Sequence, residues 1–370
     1  MEKSIKTDIQ NRIVRAQNHM GQEGIDCFIV QDSDNIRYLS GYTGEFAILI
    51  LFQDSICLIS HYRNNQKIKR EVVGIDIELV ETGQLIQHND LIAAAKKLIL
   101  DKKAGNIAVE DHLSYQSVLD LRKTFKPIKV KLSDLIEKLR MIKSEYEIQL
   151  LETAQRKAEN ILDQFLPMLK PGQTEKHYHH QLLRLIYDDV QLEGPSFLPI
   201  IASSESSWTI HPYYTDRVLR KGDSVVIDMG VFYQGYCSDM TRTVFLGAPS
   251  TRQEAVYNIV LEAQNEAEST IKPGILNHTV DASARKVISQ AGYGEYFSHG
   301  LGHGIGLNTH EAPFLSYQKK RCLLRQGMTF SIEPGIYIEN EFGVRIEDMV
   351  IVTETGCRNL THYTKEIISL

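Results

Sequence analysis

The segment Ser224-Val-Val-Ile-Asp-Met-Gly-Val-Phe-Tyr-Gln-Gly-Tyr-Cys-Ser-Asp-Met-Thr-Arg-Thr-Val-Phe245 decides the fold of the second half of this chain. It contains two β-rich runs on either side of Gln234-Gly235, a dipeptide that suits a two-residue hairpin loop. The segment therefore predicts a hairpin in which Tyr233 pairs with Tyr236.

This hairpin register has a consequence for two acidic residues. Asp228 would lie opposite Thr241, and Asp239 would be the diagonal neighbour of Asp228 on the same face. A three-residue loop would instead place the two aspartates on opposite faces. The shorter loop thus predicts two carboxylates on one side of the hairpin.

A second acidic pair lies further along the chain. Glu333 and Glu347 flank the segment 339–343, Glu-Asn-Glu-Phe-Gly, and a hairpin centred on Asn340 would put these two glutamates directly opposite each other. Four carboxylates brought together without compensation repel one another, and burial adds to the cost. Two divalent cations and a bridging hydroxide would resolve this, as in hydrolytic sites with two metals.

Such a site needs a nitrogen ligand, and the segment Ser298-His-Gly-Leu-Gly-His-Gly-Ile-Gly306 offers two histidines. We favour His303 over His299 because glycines on both sides of it allow close approach. These glycines alternate and do not form the G-x-G-x-x-G pattern of a phosphate-binding loop. An isolated aspartate or histidine is more often structural, but five such residues at consistent spacings favour a metal site.

The two acidic hairpins belong to a repeated pattern. A helix ends at Lys170-Pro-Gly172 in one half and at Lys272-Pro-Gly274 in the other, and each is followed by another helical segment. After 50 and 53 residues come Gly222 and Gly327, each six residues before an acid followed by x-Gly. Lys-Pro-Gly can be a simple helix stop, but the repeated order favours a duplicated helix-helix-strand unit with a pseudo-twofold axis.

The N-terminal part has a different pattern. Short β-rich runs alternate with helical segments up to about residue 130, as expected of an α/β domain. A capping box, Ser144-Glu-Tyr-Glu147, then opens a long amphipathic helix. We therefore predict an N-terminal domain at residues 1–135 and a catalytic domain at 136–370. The β-rich runs lie at 24–30, 46–52, 56–60 and 106–110, with a helix at 91–100.

Composition limits the classes of function. The length of 370 residues suggests about two domains. The net charge of −6 gives no basic surface for nucleic acid. Five cysteines without a C-x-x-C pair argue against a disulfide framework, and no apolar run is long enough to be a membrane span. A cytoplasmic protein is expected, with no nucleic-acid or membrane partner.

A second histidine cluster and the single tryptophan are harder to interpret. His177-Tyr-His179-His180 lies in a helical pattern without neighbouring carboxylates, so we expect a solvated helix face and no metal site. Trp208 could shape the site entrance or pack against the other domain.

Several motifs together resemble the creatinase/aminopeptidase P/prolidase group of "pita-bread" metallopeptidases. The resemblance covers nearly the whole chain. It implies an α/β N-terminal creatinase-like domain followed by an α+β pita-bread catalytic domain with internal pseudo-twofold duplication. The motifs are Val226-Ile-Asp-Met-Gly230, Tyr236-Cys-Ser-Asp-Met-Thr-Arg-Thr243, His299-Gly-Leu-Gly-His-Gly-Ile-Gly306, His310-Glu-Ala-Pro313, Ile332-Glu-Pro-Gly335, Val344-Arg-Ile-Glu-Asp348 and Asn35-Ile-Arg-Tyr-Leu-Ser-Gly41.

The resemblance also implies residue roles. Asp228 should chelate one metal, Asp239 and Glu347 should bridge both, and His303 and Glu333 should complete the other. Glu333 should also handle the proton of the nucleophilic water. The residues expected to line the substrate site or support it by hydrogen bonding are His211, His310 and Arg345.

By this resemblance the leading hypothesis is a metal-dependent aminopeptidase that removes an N-terminal residue preceding proline. The close alternative is an Xaa-Pro dipeptidase, and a metal-free creatinase-like hydrolase or a non-catalytic binding module is less favoured. The expected cofactors are two divalent ions, manganese first, with cobalt, zinc or iron as alternatives. Peptides with proline at the second position and a homodimer partner are also expected. The run Ser206-Ser-Trp-Thr-Ile-His211 departs from the family pattern, so substrate preference is the open point.

Overall fold

The computed structural model describes residues 2–72, 74–80, 88–212 and 214–370. The chain forms two compact units, Met1–Arg140 and Met141–Leu370. Among the described helices, none is long and apolar enough to cross a membrane.

The first unit is built on a mixed six-stranded sheet with the strand order β4-β3-β2-β1-β5-β6. Strands β1, β5 and β6 run parallel, whereas β2 is antiparallel to both β1 and β3. This is the predicted α/β architecture. Its strands are β1 (Cys27–Val30), β2 (Ala47–Phe52), β3 (Ile56–His61), β4 (Asp76–Val80), β5 (Ile107–Glu110) and β6 (Val130–Ser133). Its helices are α1 (Glu2–Glu23), α2 (Ser33–Ser40), α3 (Asn65–Glu71), α4 (His88–Asp101), α5 (Tyr115–Phe125) and α6 (Leu135–Arg140).

The units divide after Arg140, five residues beyond the end of the predicted N-terminal domain at residue 135. Helix α6 causes the difference because it packs against α1 and α2 of the first unit. Its Leu135, Ile136 and Leu139 are buried. A six-residue helix next to a boundary has too little periodicity of its own to indicate which unit it joins.

The second unit contains two helix pairs and four sheets. The predicted capping box is present at the start of α7, where Ser144 and Glu147 bond reciprocally. The helices are α7 (Glu145–Phe165), α8 (Glu175–Asp188), α9 (Thr251–Thr270) and α10 (Asn277–Gln290). The strands are β7 (Gly194–Pro195), β8 (Ile200–Ser203), β9 (Ser224–Met229), β10 (Val231–Tyr233), β11 (Tyr236–Cys237), β12 (Met240–Phe245), β13 (Gly302–Gly304), β14 (Glu311–Leu315), β15 (Thr329–Ile332), β16 (Gly335–Ile338), β17 (Phe342–Arg345), β18 (Asp348–Val352), β19 (Cys357–Asn359) and β20 (Ile368–Ser369).

Each helix pair packs on the strands of its own half of the second unit. Helices α7 and α8 share a buried apolar cluster with β8, β9 and β12. Helices α9 and α10 share another with β15, β16, β17 and β18. The order helix, helix, strand therefore occurs twice, as the repeated sequence pattern predicted.

The corresponding glycines of the two halves also adopt the same backbone conformation. Gly172 and Gly274, which follow the first helix of each half, have φ angles of 104° and 84°. Gly222 and Gly327, which precede the acid-bearing strands, have φ angles of 91° and 85°. Residues with side chains rarely adopt this left-handed region.

A buried ion pair joins the two halves of the second unit. Arg242 of β12 donates to four backbone carbonyls and, at 2.8 Å, to Asp348 Oδ1 of β18. The other carboxylate oxygen of Asp348 accepts from Gln264 and Asn359 at 2.9 and 2.7 Å. Both charged side chains are 1% exposed. Removing one partner of such a buried and fully hydrogen-bonded pair lowers stability strongly, because the other charge stays buried.

We therefore expect Arg242→Gln to lower the free energy of unfolding by up to about 3–5 kcal/mol, because the buried Asp348 carboxylate would lose its buried partner and keep only the less buried Lys365, 3.4 Å away. Urea unfolding followed by circular dichroism measures this. The matched control is Arg252→Gln, which breaks the exposed pair with Glu341 and should cost about 0–1 kcal/mol. Equal losses in the two variants would contradict the assignment.

Candidate metal centre

The first half of the second unit supplies two buried carboxylates. Tyr233 pairs with Tyr236 in the hairpin, and Asp228 lies opposite Thr241. Asp239 directly precedes β12 and is 3% exposed, against 7% for Asp228. The register predicted from the two-residue loop is confirmed, and Gln234 adopts the positive φ of 49° that such a loop requires.

The second half supplies two more carboxylates, the buried Glu347 and the half-buried Glu333. Strands β15 and β18, and then β16 and β17, pair in one common register. Glu333 lies between β15 and β16, and Glu347 lies between β17 and β18, so the register places them opposite each other. The pairing predicted for the Asn340 hairpin is confirmed.

Thr241 connects the two acidic pairs. The backbone N–H of Glu347 donates to the Thr241 carbonyl at 3.1 Å, and Thr241 Oγ1 donates to Glu347 Oε2 at 2.7 Å. This contact between β12 and the segment before β18 brings all four carboxylates to the wall of one cavity of about 300 Å³.

His303 lies in β13 and faces the same cavity. Its Nδ1 is 3.2 Å from the carbonyl oxygen of Gly304, which can only accept, so Nδ1 carries a proton. Its Nε2 lies 3.2 Å from Glu333 Oε1 and 3.6 Å from Asp239 Oδ2. The ligand atoms of Asp239, His303 and Glu347 all lie within 4.8 Å of one another.

The glycine before His303 explains how this ring approaches the carboxylates so closely. A Cβ at Gly302 would lie 2.0 Å from the backbone oxygen of Ser331. Only glycine lets β13 approach β15 this closely. The expectation that glycines around His303 serve close approach therefore fits the structure.

Burial and mutual repulsion dominate the electrostatics of the cluster. Burial, followed by the charges of neighbouring carboxylates, raises the pKa values of Asp239 and Glu347 well above the usual range. Burial also raises the pKa of Asp228. Burial is the largest single influence on Glu333 and opposes its ionisation, but the hydrogen bond to His303 and the charges of His303, His299 and Arg345 together outweigh it and lower the Glu333 pKa to about 2. Such a set is not stable as four free anions.

The donor set fits divalent cations. Asp228 Oδ1 is buried and has no hydrogen-bond partner among the described residues, which is costly unless the atom serves as a ligand. Carboxylate oxygens with one imidazole nitrogen suit manganese, cobalt, iron or zinc. The five residues could therefore hold metal ions between them.

A hydrogen-bonded chain supports Asp228 from behind. Arg345 donates to Asp228 Oδ2 at 2.5 Å and to the Tyr337 hydroxyl at 2.9 Å. The Tyr337 oxygen lies 3.0 Å from His299 Nε2. Because burial lowers the pKa of His299 to about 4, its ring is neutral and accepts from the Tyr337 hydroxyl. Sequence reasoning named Arg345 but missed Tyr337 and Thr241, which look like ordinary strand residues.

Two further predicted site residues, His211 and His310, line the cavity. The His310 ring centroid is 4.0 Å from that of His303. Desolvation and the charge of His303 lower the pKa of His310 to about 4, so this imidazole is neutral near pH 7. All seven residues predicted for the metal and substrate sites thus surround one cavity.

The rest of the cavity wall is mostly apolar, and sequence reasoning did not identify it. It is formed by Phe197, Leu198, Pro199, Ile200, Pro212 and Tyr214. We call these six residues the apolar wall. Ile200 begins β8, and the other five lie in irregular segments on either side of this strand, where no periodicity distinguishes a cavity wall from an ordinary loop.

The expected solvated histidine face on α8 is only partly correct. His177 and His180 are exposed, but His179 is 1% exposed. The reason is that its ring stacks on Tyr214, with the ring centroids 4.0 Å apart. Trp208 is half-buried and is not one of the residues that line the cavity.

Comparisons with known proteins agree with this architecture. The model of metallopeptidase family M24 matches residues 149–354, and that of the creatinase/prolidase N-terminal domain matches 12–142. An Xaa-Pro dipeptidase of Pyrococcus horikoshii is 34% identical over 98% of this chain and all of its own length.

Solved structures give the same result. An Xaa-Pro dipeptidase from Bacillus anthracis, 34% identical, superposes with a TM-score of 0.91 over 98% of this chain and all of its own. An X-Pro aminopeptidase from Thermotoga maritima, also 34% identical, gives 0.85 over 94% and 98% of the two chains. The chain therefore belongs to metallopeptidase family M24 and carries a creatinase/prolidase N-terminal domain ahead of its pita-bread peptidase domain.

Proposed function

We propose that this protein is a dinuclear metal-dependent Xaa-Pro dipeptidase. The observation that carries the proposal is the convergence of four carboxylates, three of them buried, and one imidazole on a single cavity. Support for the substrate class comes from full-length relatives named Xaa-Pro dipeptidase.

This proposal reverses the order of the two hypotheses drawn from sequence, where the aminopeptidase came first. The relatives named Xaa-Pro dipeptidase favour the alternative. An Xaa-Pro aminopeptidase stays the second candidate. The Thermotoga maritima structure of that name has the same sequence identity to this chain, 34%, as the Bacillus anthracis dipeptidase. The residues of the metal centre are common to both hypotheses.

We assign the metal ligands from the family resemblance, and for Asp228 also from a hydrogen bond that it lacks. Asp228 would chelate one ion through its unpartnered Oδ1. Asp239, His303, Glu333 and Glu347 would hold the two ions together with Asp228, as the resemblance implies. Divalent ions held there, with manganese favoured, would lower the pKa of bound water and polarise the scissile carbonyl.

The remaining residues would position substrate and move protons. Glu333 Oε1 is held by Ser331 Oγ at 3.1 Å, which leaves its carboxylate able to accept the proton of the attacking water. His310 and His211 would contact the substrate beside the scissile bond and stabilise the tetrahedral centre. Arg345 would keep Asp228 ionised and correctly oriented.

The apolar wall suits a proline-containing substrate. The bond before proline is a tertiary amide without an N–H, so a peptidase cannot recognise it by a hydrogen bond from that nitrogen. Apolar contact with the pyrrolidine ring is the alternative means of recognition. Pro199, Ile200 and Tyr214 offer such contact close to the metal centre.

We expect the manganese-loaded protein to hydrolyse Ala-Pro with a kcat/KM at least about tenfold above that for Ala-Pro-Ala, a difference of about 1.4 kcal/mol in transition-state binding. Chromatographic detection of released alanine measures both reactions, and chelator-treated protein is the control. Equal or faster turnover of the tripeptide would contradict the dipeptidase and favour the aminopeptidase.

We also expect Asp239→Asn to reduce the bound metal below two ions per chain and kcat by more than about a hundredfold, since loss of an outer partner alone costs about 10–100-fold. Elemental analysis after dialysis gives the stoichiometry independently of activity. Glu339→Gln, an exposed carboxylate in the second hairpin, is the matched control and should keep both ions. Full metal content in Asp239→Asn would refute its assignment as a ligand.

A further inference from the structure

The segment Ser203–Thr215 carries the cavity residue His211 and is described except for residue 213. Beyond a single 3-10 turn at Ser204–Ser206, its described residues form no helix or strand apart from Ser203, the last residue of β8. A segment of this length needs fixed ends if His211 is to stay in one place, because each free backbone residue costs about 1–2 kcal/mol to order.

One buried carboxylate holds both ends of this segment. Glu175, the first residue of α8, is 0% exposed. Its Oε1 accepts from the backbone N–H and the hydroxyl of Ser203, both at 2.7 Å, and from the Ser206 hydroxyl. Its Oε2 accepts from the hydroxyl and the N–H of Thr215 at 2.6 and 3.2 Å. Glu175 therefore closes the segment into a loop.

One turn further along α8, His179 holds the apolar wall. The side chains of residues i and i+4 lie on the same helix face, and His179, like Glu175, is buried. Its Nδ1 donates to the Pro199 carbonyl at 2.8 Å, and its ring stacks on Tyr214. The His179 imidazole thus contacts the apolar wall at Pro199, before β8, and at Tyr214, near the end of the loop.

The far side of the loop has its own contacts. Ser207 Oγ accepts from the Gly343 N–H at 2.7 Å, and the Ile210 carbonyl accepts from Arg345 at 3.3 Å. The loop is thereby held between α8 and the strands that bear the metal centre. Its position relative to that centre depends on the length and charge of Glu175.

We propose that Glu175 and His179, together the α8 clamp, are positioning residues that set the placement of His211 and of the apolar wall. Neither residue lines the cavity, so both act through the groups that they hold. Displacement of a substrate-contacting group by about 1 Å can cost a hundredfold in rate. The kinetic part of this inference rests on the proposed peptidase function, whereas the structural part does not.

Trp208 provides a direct probe because it is the only tryptophan in the chain and lies inside the clamped loop. We expect Glu175→Gln to increase acrylamide quenching of Trp208 fluorescence about twofold and to lower its anisotropy, because an amide cannot accept all five hydrogen bonds. Asp188→Asn, an exposed carboxylate on the same helix, is the matched control and should leave both signals unchanged.

Activity with Ala-Pro separates the two clamp residues. We expect Glu175→Gln to lower kcat by about ten- to a hundredfold through His211, with two metal ions still bound per chain. We expect His179→Phe, which keeps an aromatic ring, to raise KM about tenfold while kcat changes less than threefold, because binding to the wall is lost. His177→Phe, on the exposed side of α8, should match the wild type.

Each outcome decides the proposal. Unchanged Trp208 quenching in a folded Glu175→Gln protein would overturn it, as would a loss of activity that follows loss of metal. If that variant fails to fold, Ser206→Ala and Thr215→Val replace it, since each removes a single hydrogen bond to Glu175 and should raise quenching by a smaller amount. If wild-type protein does not hydrolyse Ala-Pro, the peptidase proposal fails while the fluorescence result still tests the clamp.

Discussion

Repulsion among four carboxylates at one cavity, three of them buried, is the constraint on which the rest of the second unit depends. Asp228, Asp239, Glu333 and Glu347 lie at one cavity, where burial and mutual charge both disfavour ionisation. Within the protein, the positive charge of Arg345 and the imidazole of His303 offset part of this cost. Protonation or bound cations would neutralise the rest, and the unpartnered oxygen of Asp228 marks a place where a cation could bind.

Duplication explains how so unfavourable a cluster is assembled. Each half of the unit has its own apolar core and its own helix pair, and it contributes only two of the carboxylates. The halves then meet through polar contacts, with Thr241 bonded to Glu347 and Arg242 to Asp348. Burial of apolar side chains in the two cores stabilises the unit. The four carboxylates lie where the two halves meet.

Local rules explain which parts of the site could be predicted. The pairing of Asp228 with Thr241 follows from a two-residue loop, and the glutamate pairing follows from the Asn340 turn. By contrast, the contacts of Glu175 with Thr215 and of Tyr337 with His299 connect segments that are 40 and 38 residues apart in sequence. His179 looked solvated because its partner Tyr214 comes 35 residues later, where no helix or strand pattern locates it. The choice between dipeptide and longer substrates has no local signature and came from the relatives.

The adjacent acids Glu347 and Asp348 together restrict the register of β18. Glu347 faces the cavity, while Asp348 faces the core and bonds Arg242. A slip of one residue in β18 would exchange the two, placing the longer side chain against Arg242 and the shorter one in the cavity. In the slipped register the buried guanidinium of Arg242 would no longer have the Asp348 carboxylate at the distance that its hydrogen bond requires. The ion pair in the core therefore favours the one register in which Glu347 points into the cavity.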